Sequence, residues 1–410
     1  MSNNRYKFKK MTALAVVVMY ALSILSFFRN EDGSFELSSV SNVLFLAFSL
    51  FLFLLVAGKN INSRSLVIYL AGSVFFIFHS LYLVDYAVHK HLLNQLGFLF
   101  AATASALFLQ RSARQCRMDL ALNHIVRVSF LLFLPLLFSA VAGIGQIANS
   151  LNHWYAFIHE TIWVEKQQLG VFLAWMLIAS LVVGNKRKVN HVILFSTLLL
   201  LGVGIRSFVA GFLLLSIFMF LSKYKFIRAF YIVAPFSLAL LVFWKQFTVP
   251  LILLFDIRGL MLQATLDVAH QYPVGIGIGG YAEYLLEHYQ FTSGDYREVS
   301  DVYRYLSRDF ALNVLESDLM VMVFTFGAFV SAAYYAVSLT LLDYLLRKKK
   351  FILDGFEKTV ALLFGWYLFA GITQDYIFKL HWWVMVSFVL FVLMRVRLKT
   401  RRLSCAHCGA

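Results

Sequence analysis

Twelve apolar stretches, each close to the length of a membrane-spanning helix, constrain the fold more than any other feature of this sequence. A helix needs about 20 mostly apolar residues to cross a bilayer. With 61% hydrophobic and 14% charged residues, the chain lacks the polar surface that a soluble protein of 410 residues requires. We therefore predict an all-α polytopic membrane protein with about 12 transmembrane helices. The predicted spans are 11–28, 42–57, 65–84, 92–109, 126–144, 169–184, 190–205, 207–222, 227–247, 318–342, 356–373 and 377–396.

The Lys and Arg residues lie mostly on one side of this predicted topology. If the N-terminus is cytoplasmic and the spans alternate, the cytoplasmic segments contain 26 of the 36 Lys and Arg residues but 4 of the 21 Asp and Glu residues. Membrane proteins show this bias on their cytoplasmic side. Topology thus explains the net charge of +15. We expect contacts with anionic membrane lipids, no binding of nucleic acid, and two cytoplasmic termini.

One long loop separates two groups of predicted spans. The predicted units are residues 1–247 with helices 1–9, residues 248–317 as a large loop on the outer side, residues 318–396 with helices 10–12, and a cytoplasmic tail at 397–410. Apolar residues at helical spacing predict a helix at 257–270 that lies on the membrane surface or beneath the loop. Loops of this length are usually functional, so we expect the site there.

Two arginines on the outer side are candidates for binding an anion. Arg206 lies at the tip of a short hairpin between spans 190–205 and 207–222, where an unpaired cation is costly. Its side chain either reaches the lipid headgroups or grips a phosphate with two parallel hydrogen bonds. Arg258, at the start of the predicted loop helix, either pairs with Asp256 or forms a second clamp on the same anion.

Candidate proton acceptors occur in the same loop. Glu316 and Asp318 stand at the mouth of span 318–342, and carboxyl groups at a membrane edge are costly to bury. One of them is therefore a candidate general base, unless both are solvated residues that end the loop. His270 and His288 are rival bases or ordinary surface histidines.

The loop also contains mixed charges and a glycine-rich segment. Its acidic and basic residues, among them Arg304 and Arg308, form either ion pairs or a polar face that binds sugar. Residues 273–280 contain four glycines, but no strand–helix–strand unit surrounds them, which argues against a dinucleotide site. We predict that this segment is a backbone turn that re-enters toward the membrane.

Three short patterns on the outer side have a characteristic order and spacing. They are Gly204-Ile205-Arg206-Ser207, the turn from Pro273 to Gly280-Tyr281 that follows Arg258, and Glu316-Ser317-Asp318-Leu319 ahead of Phe326-Gly327. Together they resemble the O-antigen polymerases (Wzy-type) of the O-antigen ligase and polymerase superfamily, which are bacterial inner-membrane glycosyltransferases. The resemblance implies a GT-C-like membrane fold with one large periplasmic loop between helices 9 and 10.

One position distinguishes the two branches of this superfamily. The ligases have a histidine eleven residues before the glycine of the third pattern, and this sequence has Glu316 there. The difference favours the polymerase branch. A ligase-like transferase is the first alternative. A transporter of lipid-linked oligosaccharides is the second, although the chain lacks the internal repeats and the charges deep within spans that transporters often have.

The resemblance implies inverting glycosyl transfer without a metal or another cofactor. The substrates would be glycans linked to undecaprenyl pyrophosphate, polymerised into O-antigen or a related surface polysaccharide at the periplasmic face. Arg206 and Arg258 would bind the pyrophosphate, with Glu316 as first-choice base and Asp318 as second. A polysaccharide chain-length regulator is a candidate partner. The possible substrate-binding residues are His270, Tyr281, His288, Arg304 and Arg308.

Overall fold

The fold is known from a computed structural model, which describes residues 2–26, 36–57, 63–84, 89–112, 118–143, 145, 166–183, 206–222, 252–281, 284, 317–348, 352–374 and 376–408. Within these ranges the chain forms helices and no strand. The helices are α1 (Ser2–Leu25), α2 (Glu36–Ala57), α3 (Ser63–Phe78), α4 (His89–Ser112), α5 (Asp119–Ala142), α6 (Lys166–Val183), α7 (Arg206–Leu221), α8 (Ile252–Gln271), α9 (Asp318–Asp343), α10 (Gly355–Ala370) and α11 (Leu380–Cys408). Single π-helical turns, His79–Leu83 and Tyr344–Lys348, follow α3 and α9.

Within the described ranges, the prediction of an all-helical fold with apolar, membrane-compatible helices is confirmed. Four helices in the described ranges are long and apolar enough to cross a membrane, with spans at Ser39–Val56, His91–Ser112, Asp318–Arg347 and Leu380–Thr400. Shorter apolar segments occupy Lys10–Leu25, Tyr69–Leu81, Leu169–Val182 and Ser207–Leu221. The predicted spans 190–205 and 227–247 and loop residues 285–316 lie outside the described residues, so the count of twelve spans and the extent of the loop stay predictions.

Large aromatic side chains fill the core between the helices. Trp175 of α6 is buried, with its ring 5.3 Å from that of Tyr20 on α1 and 5.9 Å from that of Phe388 on α11. In the same core, the indole N–H of Trp366 on α10 donates to the carbonyl of Phe208 on α7, at 3.3 Å. This hydrogen bond fixes α7 against α10, the pair of helices that positions the site described below.

Buried ion pairs join α10 to α11 at one end of the bundle, which we call the Glu357 end. Asp354 caps α10, and its side chain and that of Glu357 bond reciprocally to each other's backbone N–H groups. Arg395 lies 2.9 Å and Lys399 lies 2.7 Å from the carboxylate of Glu357. Because Glu357 is fully buried, these two cations compensate a charge that would otherwise be costly to remove from water.

Helix α9 is broken at Gly327. This residue has a φ of 79° and a ψ of 171°, a conformation that is essentially restricted to glycine. The helical conformation is therefore interrupted at this residue, and the predicted span 318–342 is not one regular helix.

Candidate functional site

The opposite end of the bundle, which we call the Asp318 end, contains the first residues of α7 and α9 and the turn after α10. The turn comprises Gly371–Gln374 and Tyr376, and it leads into α11. Helix α10 runs from the Glu357 end to this turn. The Asp318 end therefore gathers segments that are more than a hundred residues apart in the sequence.

Asp318 is clamped by the turn after α10. Its carboxylate oxygen Oδ1 accepts hydrogen bonds from the backbone N–H groups of Tyr376 and Ile377. Its own N–H donates to the carbonyls of Gly371 and Gln374. A Cβ atom on Gly371 would lie 2.0 Å from Oδ2, so this approach depends on glycine. The side chain is 5% exposed, and backbone donors compensate its charge.

Tyr376 connects this clamp to the start of α7. Its hydroxyl donates a hydrogen bond to Oγ of Ser207, at 2.8 Å, and both residues are buried. Ser207 follows Arg206, the first residue of α7. A continuous set of contacts thus runs from Ser207 through Tyr376 to Asp318. It brings the first and third sequence patterns to the same end of the bundle.

The glycine-rich turn lies directly against the broken helix. The N–H groups of Ile276 and Gly277 donate to the carbonyls of Phe324 and Thr325, at 2.7 and 3.3 Å. The break at Gly327 leaves carbonyls of α9 without helical partners, and the turn supplies donors to them. The predicted backbone turn is therefore present, and it joins the second sequence pattern to the third, while its re-entry toward the membrane stays a prediction.

His79 holds the turn from the other side. Its Nε2 lies 2.7 Å from the carbonyl oxygen of Val274, and because a carbonyl can only accept, this nitrogen carries the proton. The ring stacks on Phe75 and meets the ring of Phe326 edge-on, with centroids 4.9 Å apart. The π-helical turn that carries His79 thus packs against the segment of α9 that ends at the break.

A strained residue lies beside the clamp. Phe378 has a φ of 67°, which is an outlier for a bulky side chain. Gln95 of α4 supports it, because its Nε2 donates to the Phe378 carbonyl at 3.4 Å while its Oε1 accepts from the indole N–H of Trp383 at 2.8 Å. A strained backbone conformation persists only when the surrounding structure fixes it, and such conformations are common at functional sites.

The predicted loop helix is longer and more buried than the sequence indicates. Helix α8 begins at Ile252, before the predicted start at 257, and ends at Gln271. Its buried residues, Met261, Ala264 and Val268, recur at helical spacing. Ala269 packs with residues of α9. This part of α8 is therefore packed against α9, and its position relative to the membrane surface and the loop stays a prediction.

Two tyrosines after the glycine turn are buried. Tyr281 is 4% exposed, and its ring lies edge-on to Phe324. Its assignment as a substrate-binding residue stays a prediction, and its position favours a role in packing. Burial, with Tyr272 and Asp267 nearby, raises the pKa of Tyr284 to about 12. The Tyr284 hydroxyl is therefore protonated at physiological pH and is not a candidate base.

The structure describes some of the predicted site residues and not others. Arg206 begins α7 and Arg258 lies in α8, and for both only the backbone is described. His270 is exposed near the end of α8. Their assigned roles stay predictions. The predicted site residues outside the described ranges are Glu316, His288, Arg304 and Arg308.

Two residues of the Asp318 end, Tyr376 and Gln95, were missed by sequence reasoning. A third, His79, is polar within an apolar span and is predicted from sequence to make a helix–helix hydrogen bond, whereas in the structure its partner is the carbonyl of Val274 in the glycine-rich turn. Tyr376, His79 and Gln95 act through contacts with residues that are 169, 195 and 288 positions away. Such contacts leave no trace in the local pattern of a single sequence. For Gln95 the one available signal was its polar character within an apolar helix, where polar groups are costly and need partners.

Replacing Gly327 with alanine is expected to destabilise the protein. The new Cβ would lie 2.0 Å from the carbonyl oxygen of Pro273, and the backbone conformation itself costs a non-glycine residue about 1–3 kcal/mol. Thermal unfolding of the purified protein in detergent should show a clearly lower Tm. Gly145→Ala is the matched control, because no atom lies within 4 Å of its added Cβ. An unchanged Tm for Gly327→Ala would contradict the broken helix.

Comparison with known proteins finds no matching family model, no similar curated protein and no similar solved structure. The arrangement at the Asp318 end must therefore be interpreted from its own residues. Among the described residues, no group of three or more His, Cys, Asp or Glu side chains is placed to hold a metal ion.

Proposed function

We propose that this chain is an inner-membrane glycosyltransferase that polymerises lipid-linked oligosaccharide repeat units, as the O-antigen polymerases do. The observation that carries the proposal is the convergence of the three sequence patterns at the Asp318 end. The start of α7, with Arg206, contacts Asp318 through Ser207 and Tyr376. The glycine turn bonds to α9 just before Gly327.

The distribution of charge supports a periplasmic location for this site. Arg347, Arg395 and Lys399 lie at the Glu357 end, where Arg347 donates to the carbonyl of Ser222 at the end of α7. Basic residues favour the cytoplasmic side of a membrane. In the proposed orientation the Asp318 end, at the other ends of α7 and α10, faces the periplasm.

The proposed reaction transfers a glycan from one lipid carrier to another. The oxygen of an acceptor hydroxyl attacks the anomeric carbon of the donor. The bond from that carbon to the pyrophosphate oxygen breaks, the configuration inverts, and the pyrophosphate leaves on its lipid with the bonding electron pair. Glu316 accepts the hydroxyl proton. Arg206 and Arg258 stabilise the charge that develops on the pyrophosphate, more in the transition state than in the ground state.

A specific observation favours the transporter alternative. Broken helices form the substrate sites of many secondary transporters, and α9 is broken at Gly327. In this chain the freed carbonyls of α9 bond to the glycine turn rather than being left to bind an ion. The ligase alternative requires a histidine base, for which His270 or His288 would have to substitute. We therefore place polymerase first.

A deletion strain distinguishes these three functions. Loss of a polymerase leaves single repeat units attached to the cell surface and removes the ladder of longer chains. Loss of a ligase removes surface attachment altogether, and loss of a transporter leaves the lipid-linked units on the cytoplasmic side. Electrophoresis of the surface polysaccharide and extraction of lipid-linked glycans measure these outcomes. An unchanged ladder in the deletion strain would refute the proposal.

A further inference from the structure

We propose that Tyr376 is a positioning residue for this reaction. It fixes the start of α7, which carries Arg206, relative to the start of α9, which carries Asp318. The inference rests on the proposed function, and the experiment below separates the failure of one from the failure of the other. No sequence pattern points to Tyr376.

Tyr376 makes its two connections with different atoms. Its hydroxyl donates to Oγ of Ser207 at 2.8 Å, and its backbone N–H donates to Oδ1 of Asp318. The neighbouring N–H of Ile377 donates to the same oxygen at 2.7 Å. A change in the position of either helix start would therefore break at least one hydrogen bond in a buried environment, which is costly.

Aromatic side chains hold the Tyr376 ring in place. The ring lies 5.7 Å from those of Trp366 and Tyr367 and 5.8 Å from that of His381, and Tyr376 is 1% exposed. Trp366 also bonds to the carbonyl of Phe208, in the first turn of α7. The ring and the helix start are thus fixed to the same support. Because its ring is held on several sides, Tyr376 has little freedom to move and keeps the starts of α7 and α9 at a fixed separation.

The proposed reacting groups are close to these contacts along the chain. Arg206 precedes Ser207 by one residue and Glu316 precedes Asp318 by two. Consecutive Cα atoms are about 3.8 Å apart, so chain geometry keeps the Cα atom of each proposed group within about 4–8 Å of that of its anchored neighbour. A displacement of about 1 Å between reacting groups can reduce a rate by about a hundredfold. Tyr376 therefore limits the separation between the anion clamp and the base without touching substrate.

A double-mutant cycle tests this role. The purified variants Tyr376→Phe, Ser207→Ala and the double mutant are assayed on lipid-linked single repeat units extracted from the deletion strain. Each single variant should lower kcat by about 10- to 100-fold, with KM changed less than about twofold, because positioning acts on the transition state. The double mutant should match the single variants, since both remove the same bond.

Three controls separate positioning from general stability. Tyr20→Phe removes a hydroxyl from another buried tyrosine–serine bond, the one between Tyr20 and Ser129, and should leave kcat within about twofold of wild type. Ser207→Thr retains a hydroxyl acceptor and should recover most of the kcat that Ser207→Ala loses. Thermal unfolding of each variant identifies any that fail to fold.

Two results would overturn the positioning role. One is a wild-type kcat for Tyr376→Phe and Ser207→Ala while Arg206→Ala is inactive, which would leave the proposed function intact. The other is a double mutant whose loss equals the product of the single losses. If Arg206→Ala and every other variant extend chains normally, Arg206 and its positioning both leave the mechanism. If the wild-type protein itself does not lengthen chains in this assay, the proposed function fails.

Discussion

Replacing Arg206 with alanine is expected to abolish the lengthening of polysaccharide chains while single repeat units still reach the cell surface. The guanidinium would stabilise negative charge on the departing pyrophosphate, and removal of one such donor typically costs about 10²–10³ in rate. The helix start that carries Arg206 is held by the buried bond between Ser207 and Tyr376. Electrophoresis of polysaccharide from a complemented deletion strain measures the effect.

Two matched variants show whether the effect depends on the guanidinium group of Arg206. Arg206→Lys keeps the charge but loses the fork of donors that binds an anion in bidentate fashion, so we expect shorter chains rather than none. Arg397→Ala removes an exposed arginine from α11, in the basic part of the chain, and should give normal chains. Normal chain length with Arg206→Ala, at normal expression in the membrane, would exclude Arg206 from the mechanism.

The helices could be predicted because a long apolar stretch within a membrane must satisfy its own backbone hydrogen bonds, and a helix does so within one segment. The predicted span 92–109 lies within α4, His89–Ser112, and 169–184 closely matches α6, Lys166–Val183. The boundaries differ because caps and polar ends extend a helix beyond its apolar part. Helix α11 continues to Cys408, twelve residues past the predicted end at 396, since Arg and Lys residues are good helix formers outside the membrane.

The break in α9 could not be predicted from its own residues. An isolated glycine in an apolar helix is common and costs only about 1 kcal/mol relative to alanine. At Gly327 the backbone of the turn at Pro273 and Gly275 approaches so closely that no side chain fits on either glycine. The conformation of Gly327 is thus decided by a segment that lies more than fifty residues earlier, which only the folded chain reveals.

The burial of the Asp318 carboxylate has two possible explanations, one chemical and one structural. The sequence indicates a carboxylate that is costly to bury, which favours a reactive group. In the structure the cost is met by the N–H groups of Tyr376 and Ile377, so the same burial serves to join two parts of the fold. The donors are backbone groups, which every residue possesses. No single sequence can therefore show that they are present.

Replacing Glu316 with glutamine is expected to lower kcat by about 10²–10⁴-fold, the usual contribution of a general base. Glutamine keeps the size of the side chain and cannot accept the proton as a carboxylate does. Glu316 lies outside the described residues, and in the sequence it directly precedes Ser317, which caps α9. Turnover of extracted lipid-linked repeat units by the purified variant measures the loss, with Tm expected to stay at the wild-type value.

Asp318→Asn is the comparison that decides between the two carboxylates. Asparagine still offers one oxygen to the N–H groups of Tyr376 and Ile377 but loses the charge, which weakens both hydrogen bonds. We expect a lower Tm and a smaller loss in kcat than for Glu316→Gln. If Asp318→Asn instead lowers kcat more than Glu316→Gln does, at an unchanged Tm, Asp318 is the base. If only His270→Ala or His288→Ala does so, the proton acceptor is a histidine, as a ligase-like mechanism would require.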